Sequence, residues 1–431
     1  MRRWIGALAS VGAFVAFVPG AATGAAEPLA MVAAERAAAE SLFVRGRLDS
    51  AEVAYARVLE RAPRDTLALV RAAALALMGN RLDPARALIA RARAAGAAPG
   101  RLDALEAEAL YRRDDFAAAA PRFRAAGRES LALKLASFGE RRPNRVDGPE
   151  RAVVRFVQTD PLPFVELWVN GVGPLLFLID TGGGELVLDP VTADSVGALR
   201  YGSEVGTFAG DRRSGMVHGR VDSVRLGEAT LRDVPIRMLD LRRWSAAAMG
   251  RRVHGVLGTI VFYHFRATLD YPGGALVLER RGTPLAAAPP GVRRVEVPFR
   301  LAGDHLIIAE GAIDSSAIQS WLVDTGLAGA AFTGPASTLA EARVAIDDRS
   351  AFTGQGGGGS VRVTPFRVRR LSLGAAEATD LLGIQGAFPP SLERSQGFRI
   401  GGIVSHAFFR PWRLTFDFEA MRLSMERPAA P

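Results

Sequence analysis

The pattern of apolar and polar positions divides the chain into a helical N-terminal part and a strand-rich remainder. From about Pro28 to Glu140 apolar residues recur with helical periodicity, among many Ala, Leu and Arg and few β-branched residues. Beyond Val153 the apolar runs are short, alternating or continuous, and Gly, Pro and Asn separate them, as is typical of β-strands. One such run, Phe164–Asn170, ends at an Asn-Gly pair that favours a hairpin turn. The pattern predicts a multidomain protein, all-α first and all-β afterwards.

The helical part contains an internal repeat of 34 residues. Large residues recur at Leu48, Leu82 and Phe116, and three further series keep the same spacing: Ala51, Ala85 and Ala119; Tyr55, Ile89 and Phe123; Leu42, Ala76 and Leu110. This period, with small residues where helices would cross, resembles about three tetratricopeptide repeats. Such stacks usually bind a peptide or another protein, so the repeats predict a possible protein partner. A spacer or a fold-stabilising prodomain is the alternative.

In the strand-rich part an apolar run ending in Asp-Thr-Gly occurs twice, 144 positions apart. Burying a lone carboxylate is costly, so a sequence that does so twice is either pairing the two acids or using them. A second stretch repeats 147 positions apart, as Gly255–Gly258 and Gly402–Ser405, with Ser405 in the place of Gly258. Matching order and nearly matching spacing indicate a duplicated unit. We therefore expect two similar β-rich lobes, each supplying one Asp-Thr-Gly.

The doubled motif, followed about 75 residues later by two aliphatic residues and Gly, resembles the aspartic peptidases. It is similar to the bacterial retropepsin-like branch, with two lobes fused in one chain as in pepsin, and the resemblance covers roughly residues 153–426. It implies a bilobal acid-protease fold in which Asp180 and Asp324 are the catalytic pair. The neighbouring residues implied to support the two loops are Thr181 and Thr325, through hydroxyl cross-links, and Gly182 and Gly326, through a tight turn and close approach.

The resemblance also implies a flap hairpin over the cleft in each lobe. The candidates are Phe208 and Gly210 in the first lobe, and Phe352 and Gly354 in the second, just before the glycine run 356–359. Any mobile surface loop has a similar composition. The glycine run lacks the Lys-Ser/Thr and the helical pattern that follow a phosphate loop, so we expect no nucleotide site.

Two acids held together can share one proton, so that one activates a water and the other protonates the substrate carbonyl. The resemblance thus predicts an aspartic endopeptidase acting on polypeptide substrates, without a cofactor, a metal or a covalent intermediate. A catalytically silent scaffold that binds peptides, and a self-processing zymogen whose helical region is removed, are the alternatives.

The amino-acid composition narrows the possible partners and kinds of site. The net charge is +9, but the cations are scattered Arg residues with Lys134 as the one lysine, so we expect no nucleic-acid partner. The absence of cysteine excludes disulfides, thiolate catalysis and cysteine-bound zinc. The histidines show no metal-ligand spacing.

The first 26 residues are typical of an export signal, with Arg2 and Arg3 before an apolar stretch and a small-residue cleavage region. The apolar stretch is short for a membrane span, so we expect an exported protein, periplasmic or secreted and bacterial, without a span after signal removal. The predicted units are a signal peptide at 1–26, a helical-repeat domain at 27–140, a linker at 141–152, a first lobe at 153–279, a linker at 280–291 and a second lobe at 292–431.

Overall fold

The computed structural model describes residues 23–250 and 252–428, and residues 1–22 of the predicted signal lie outside them. Its N-terminal part is a run of α-helices, each packed on the next in chain order. In the described ranges no helix combines the length and the apolarity that a membrane crossing needs. The helices are α1 (Thr23–Val44), α2 (Leu48–Arg61), α3 (Thr66–Met78), α4 (Leu82–Ala94), α5 (Pro99–Tyr111), α6 (Phe116–Ala125) and α7 (Glu129–Ala136).

The 34-residue repeat corresponds to helical hairpins. The three large residues Leu48, Leu82 and Phe116 are the first residues of α2, α4 and α6. The alanines three positions later in each repeat are fully buried, which lets neighbouring helices approach closely. The turn before each of these helices has a left-handed residue at the same repeat position: Gly46 (φ 73°), Asn80 (φ 54°) and Asp114 (φ 60°). The helical repeat is confirmed, while its assignment to the tetratricopeptide class stays a prediction.

The remainder is β-rich and bilobal, which confirms the predicted fold class. Lobe 1 contains β1 (Arg145–Asp147), β2 (Arg151–Gln158), β3 (Phe164–Val169), β4 (Val172–Ile179), β5 (Leu186–Leu188), α8 (Pro190–Ser195), β6 (Leu199–Phe208), β7 (Arg212–Leu226), β8 (Ala229–Met238), α9 (Arg242–Met249), β9 (Gly255–Leu257), α10 (Thr259–Tyr263), β10 (Phe265–Asp270) and β11 (Ala275–Arg280). Lobe 2 contains β12 (Val292–Ala302), β13 (Leu306–Ile313), β14 (Gln319–Asp324), β15 (Phe332–Thr333), α11 (Ala336–Glu341), β16 (Phe352–Gly356), β17 (Gly359–Leu373), β18 (Ala376–Gln385), α12 (Ser391–Gln396), β19 (Gly402–Ser405), α13 (His406–Phe409), β20 (Arg413–Asp417) and β21 (Arg422–Pro428).

A shared antiparallel sheet joins the two lobes. Its strand order is β2–β11–β10–β20–β21–β12, so each lobe contributes one half. At its centre β10 pairs with β20, and the hydroxyls of Thr268 and Thr415 lie 2.8 Å apart. These two threonines occupy equivalent positions of the duplicated sequence, so an approximate twofold relation between the lobes passes through this point.

The helical domain docks against both lobes along its hairpin turns. Ser320 of lobe 2 donates a hydrogen bond to the Gly46 carbonyl at 2.7 Å, and Asn80 donates to the Phe418 carbonyl at 2.8 Å. The third turn faces lobe 1, where His264 lies 3.6 Å from the Asp114 carboxylate. Apolar residues of α1 to α3 share one core with lobe 2, and α5 to α7 share another with Ile260 of lobe 1. The two lobes therefore cover the edge of the helical stack that contains these hairpin turns.

Candidate active site

Both Asp-Thr-Gly motifs lie at the ends of buried central strands. Asp180 directly follows β4 and Asp324 is the last residue of β14. Each of these strands has a parallel neighbour, β9 beside β4 and β19 beside β14, and these neighbours are the second duplicated stretch of the sequence. The residues of β4 and β14 are almost all apolar toward their C-terminal ends because both faces of these strands are covered. The first polar residue after each apolar run is the aspartate at the strand end.

The two loops are cross-linked by their threonines. The Thr181 hydroxyl donates to the Val323 carbonyl at 3.0 Å and accepts from the Thr325 amide at 3.1 Å. The Thr325 hydroxyl makes the reciprocal pair with the Ile179 carbonyl and the Thr181 amide, both at 3.1 Å. Both threonines are fully buried, so water cannot replace these bonds. The network fixes the distance between the loops.

The two carboxyl groups face each other across this junction. Each accepts a hydrogen bond from the glycine amide of its own motif, at 2.9 Å for Asp180 and 2.7 Å for Asp324. A side chain at Gly182 would place its Cβ 2.5 Å from Asp324 Oδ2, and one at Gly326 would overlap the Asp180 carboxyl group. Only glycine allows the two loops to approach this closely, because the Cα of each motif glycine lies against the carboxyl group of the opposite motif. The two carboxyl groups lie close enough for the Asp180 charge to act on Asp324.

The pair has the electrostatics of two acids that cannot ionise together. Burial raises the pKa of Asp324 well above its ordinary value of 3.8, and the nearby Asp180 charge raises it further. The amides of Gly326 and Gly182 oppose this effect by donating to the carboxylate, but burial and the like charge outweigh them. The pair therefore retains a proton at pH values where ordinary aspartates have lost theirs.

Hydroxyl groups support each loop from behind. In lobe 1, Thr259 donates to the Thr181 carbonyl at 2.8 Å. In lobe 2, Ser405 donates to the Asp324 carbonyl and accepts from the Leu327 amide at 3.1 Å. Ser405 thus performs in lobe 2 a task that Thr259 performs in lobe 1, which explains why the sequence departs from Gly258 at this position without loss of support.

Two hairpins, β6–β7 (flap 1) and β16–β17 (flap 2), meet at their tips near the Asp324 loop. Phe208 ends β6, and Gly210 lies in the 3₁₀ turn at the tip of flap 1, where its amide donates to the Ala387 carbonyl of lobe 2 at 2.9 Å. Phe352 begins β16 with 53% of its surface exposed, and Gly354 lies within that strand. Both pairs of predicted flap residues therefore lie in hairpins.

The tip of flap 1 is bound by lobe 2. Ala209 packs on an apolar cluster that includes Val361 and Val363 of flap 2 and Leu327 beside the Asp324 loop. The adjoining Asp211 carboxylate accepts hydrogen bonds from the amide of Ser391, at 3.1 Å, and from its hydroxyl. Leu327 cannot hydrogen-bond to the acids, but it forms part of the surface on which the flap tip rests.

Sequence reasoning missed one group of residues near the site. Glu185, at the end of the first loop, forms a buried ion pair with Lys134 of α7 and accepts a hydrogen bond from Tyr111 of α5. Neither partner lies in a motif, and they come from a different domain. The one available signal was that Lys134 is the single lysine of an arginine-rich chain.

A comparison with protein families agrees with the geometry of lobe 1. The model of the aspartyl protease family matches residues 165–261, which run from β3 through Asp180 to α10. The match supports a protease function in general. No curated protein matches the chain. Among the described residues no group of three or more His, Asp or Glu side chains is arranged to hold a metal ion.

Proposed function

We propose that this protein is an aspartic endopeptidase in which Asp180 and Asp324 activate one water molecule between them. The observation that carries the proposal is the juxtaposition of two carboxyl groups at the cross-linked ends of duplicated strands, where the glycine of each motif lies against the opposite acid. Burying two acids side by side costs stability, and a structural role does not require it. The family match to lobe 1 supports the same reaction class.

The two acids share one proton, and this gives them different roles. The ionised partner accepts a proton from the water as the water attacks the peptide carbonyl carbon. The protonated partner donates its proton to the carbonyl oxygen, which gives a neutral tetrahedral diol. Return of a proton to the amide nitrogen then allows the C–N bond to break and releases two peptides. The acids transfer protons only, while the substrate carbon gains a bond to the water oxygen and loses its bond to the amide nitrogen.

The flaps supply the enclosure that this chemistry needs. The contact of the flap 1 tip with lobe 2 would limit the access of bulk water to the acids and would cover a bound polypeptide. A chain that is extended fits such a cleft better than a folded domain, so unfolded segments are the expected substrates. We place this activity outside the cytoplasm of a bacterium, because the first 26 residues are typical of an export signal. Tetratricopeptide-like recruitment of a protein partner would use a surface of the helical stack away from its docked turns.

The test is cleavage of an unfolded polypeptide such as casein, with products identified by mass spectrometry from acid to neutral pH. Asp180→Asn and Asp324→Asn should each abolish cleavage, and a statine-type inhibitor such as pepstatin should compete with substrate. Asp417→Asn is the matched control: it is a duplicated acid at the end of β20 that caps a turn and touches neither loop. Peptide binding without turnover at any pH would favour the silent scaffold instead, and residual cleavage in either active-site variant would refute the shared pair.

A further inference from the structure

A buried ionic cluster lies where the helical domain, lobe 1 and lobe 2 meet. Lys134 of α7 donates to both carboxylate oxygens of Glu185, at 2.6 and 2.5 Å, and the two side chains are 0% and 1% exposed. The Tyr111 hydroxyl of α5 donates to the same carboxylate at 2.6 Å. Arg237 of β8 lies 3.5 Å from Glu185 and 3.7 Å from Asp304 of lobe 2. The Glu185 carboxylate is thus held by three elements at once.

This arrangement has one stable geometry. Burial alone would raise the pKa of Glu185, but the charges of Lys134 and Arg237 and the two donors lower it to about 2, so the carboxylate is ionised at neutral pH. A buried charge that loses its partner is strongly destabilising, so the pair resists any separation of its two sides. The compact ammonium group of this single lysine reaches both carboxylate oxygens of Glu185 in a fully buried position.

Glu185 ends the loop that carries Asp180. Between Thr181 and Glu185 the loop consists of Gly182, Gly183 and Gly184, which have no side chains to fix their conformation. Gly184 backs on the ring of His305, and its carbonyl accepts from the Ile260 amide at 3.0 Å. The side chain that anchors the far end of this glycine run is therefore Glu185, and its direct donors include two residues of the helical domain.

The same helix also supports the base of flap 1. Ser130 of α7 donates to the Ser203 carbonyl of β6 at 2.8 Å, and Arg128, at the start of α7, lies 3.0 Å from Glu204. Helix α7 therefore contacts both the first catalytic loop, through Lys134, and the hairpin that closes over it. A displacement of α7 would reach both parts of lobe 1 that face substrate.

We propose that Lys134 and Tyr111 are positioning residues that hold the Asp180 loop in place through Glu185, so that the helical domain is a permanent part of the catalytic unit. The effect on rate rests on the proposed peptidase function, whereas the effect on the loop does not. A prodomain that is removed on maturation would take both donors with it and leave Arg237, at 3.5 Å, as the remaining partner of Glu185.

The experiment compares Lys134→Met and Tyr111→Phe with wild type in the full chain. We expect kcat for casein-derived peptides to fall about 100-fold in Lys134→Met and about tenfold in Tyr111→Phe, with KM changed less than twofold, because a small displacement of a reacting group affects chemistry more than binding. Hydrogen–deuterium exchange of amides 181–185 should become faster in both variants. A purely structural role would lower stability and leave kcat per folded molecule unchanged.

Arg300→Met is the matched control. Arg300 of lobe 2 also binds the helical domain, through Asp49 at 2.8 Å and Glu52 at 2.5 Å, but it contacts neither catalytic loop. This variant should keep wild-type kcat and wild-type exchange at 181–185. Lys134 remains in this variant and in Tyr111→Phe, so its resistance to amine acylation shows that the domain is still docked.

The outcomes separate this inference from the peptidase proposal. If Lys134→Met does not fold, the double variant Lys134→Met/Glu185→Gln, which leaves no unpaired charge, replaces it and should show the same faster exchange. Unchanged exchange and kcat in the folded variants would overturn the inference, as would a fully active mature protein that lacks residues 23–136. A wild-type protein that cleaves nothing would instead refute the peptidase function, and loop exchange alone would then decide the positioning role.

Discussion

Replacing Thr181 with valine tests the cross-link that brings the two acids together. The substitution keeps the shape of the side chain and removes the hydroxyl that donates to the Val323 carbonyl and accepts from the Thr325 amide. Two fully buried backbone groups lose their partners, and each costs about 1–3 kcal/mol when left unsatisfied. The expected loss of unfolding free energy is their sum, about 2–6 kcal/mol. Thr181→Ser keeps the hydroxyl and loses one methyl group, which costs about 1 kcal/mol.

The assay is urea unfolding at neutral pH, followed by the circular dichroism of the β-rich part. With an m value of about 3 kcal/mol/M, the valine variant should unfold at a urea concentration about 0.7–2 M lower than wild type. The serine variant is the control for side-chain volume and should shift the midpoint by about 0.3 M. A valine variant as stable as the serine variant would show that the hydroxyl network does not hold the loops, and the account of the paired acids would lose its basis.

Three further predictions concern the acids, their glycines and the flap. Between pH 4 and the raised pKa of Asp324, the folded state binds a proton that the unfolded state has released. The free energy of unfolding should therefore fall as pH rises, by up to about 1.4 kcal/mol per pH unit. In urea titrations Asp324→Asn should abolish this slope, and equal slopes for the variant and the wild type would contradict the prediction. Gly326→Ala should lower kcat at least about 100-fold, because the new Cβ would overlap the Asp180 carboxyl group. Gly183→Ala is the control and should keep a kcat near that of wild type, because the nearest atom to its Cβ would lie 3.4 Å away. Equal activities of the two variants would refute the steric argument. Gly210→Val would place a branched side chain at a positive φ, with its Cβ 2.7 Å from Val361 of flap 2, so kcat/KM should fall about tenfold. Gly215→Ala, with open space around its Cβ, is the control. Equal values of kcat/KM in the two variants would show that flap closure does not depend on the tip.

The parts of the fold that could be predicted are those with a local or duplicated signal. The helical repeat and the strands follow from periodicity, and the positions of Leu48, Leu82 and Phe116 at the starts of α2, α4 and α6 agree with it. Asp180 and Asp324 could be chosen as candidates because the same sequence surrounds both. Burying a carboxyl group is costly, and a sequence that does so twice is either pairing the two acids or using them. Their catalytic role stays a proposal, although the structure places each acid against the motif glycine of the other.

The parts that could not be predicted depend on contacts between distant elements. Lys134 looks like a solvated helix residue in the sequence, since nothing nearby shows that it is buried against a carboxylate 51 positions away. The docking of the hairpin turns depends in the same way on lobe surfaces that exist only after folding. The glycine run 356–359 follows the candidate flap residues in the sequence, and β16 and β17 turn at Gly357 and Gly358, but the packing of Gly357 on Phe208 of the other flap could not be inferred.

The shared sheet described above limits how this molecule can move. Rotating one lobe against the other would have to break the β10–β20 ladder and the threonine bonds together, while the helical stack spans the same boundary on another side. A hinge between the lobes is therefore the most costly motion available. In the proposed peptidase a polypeptide would instead enter when the two hairpins lift independently, each from its own rigid base, and the few contacts at the tip of flap 1 would set the lifetime of the bound chain.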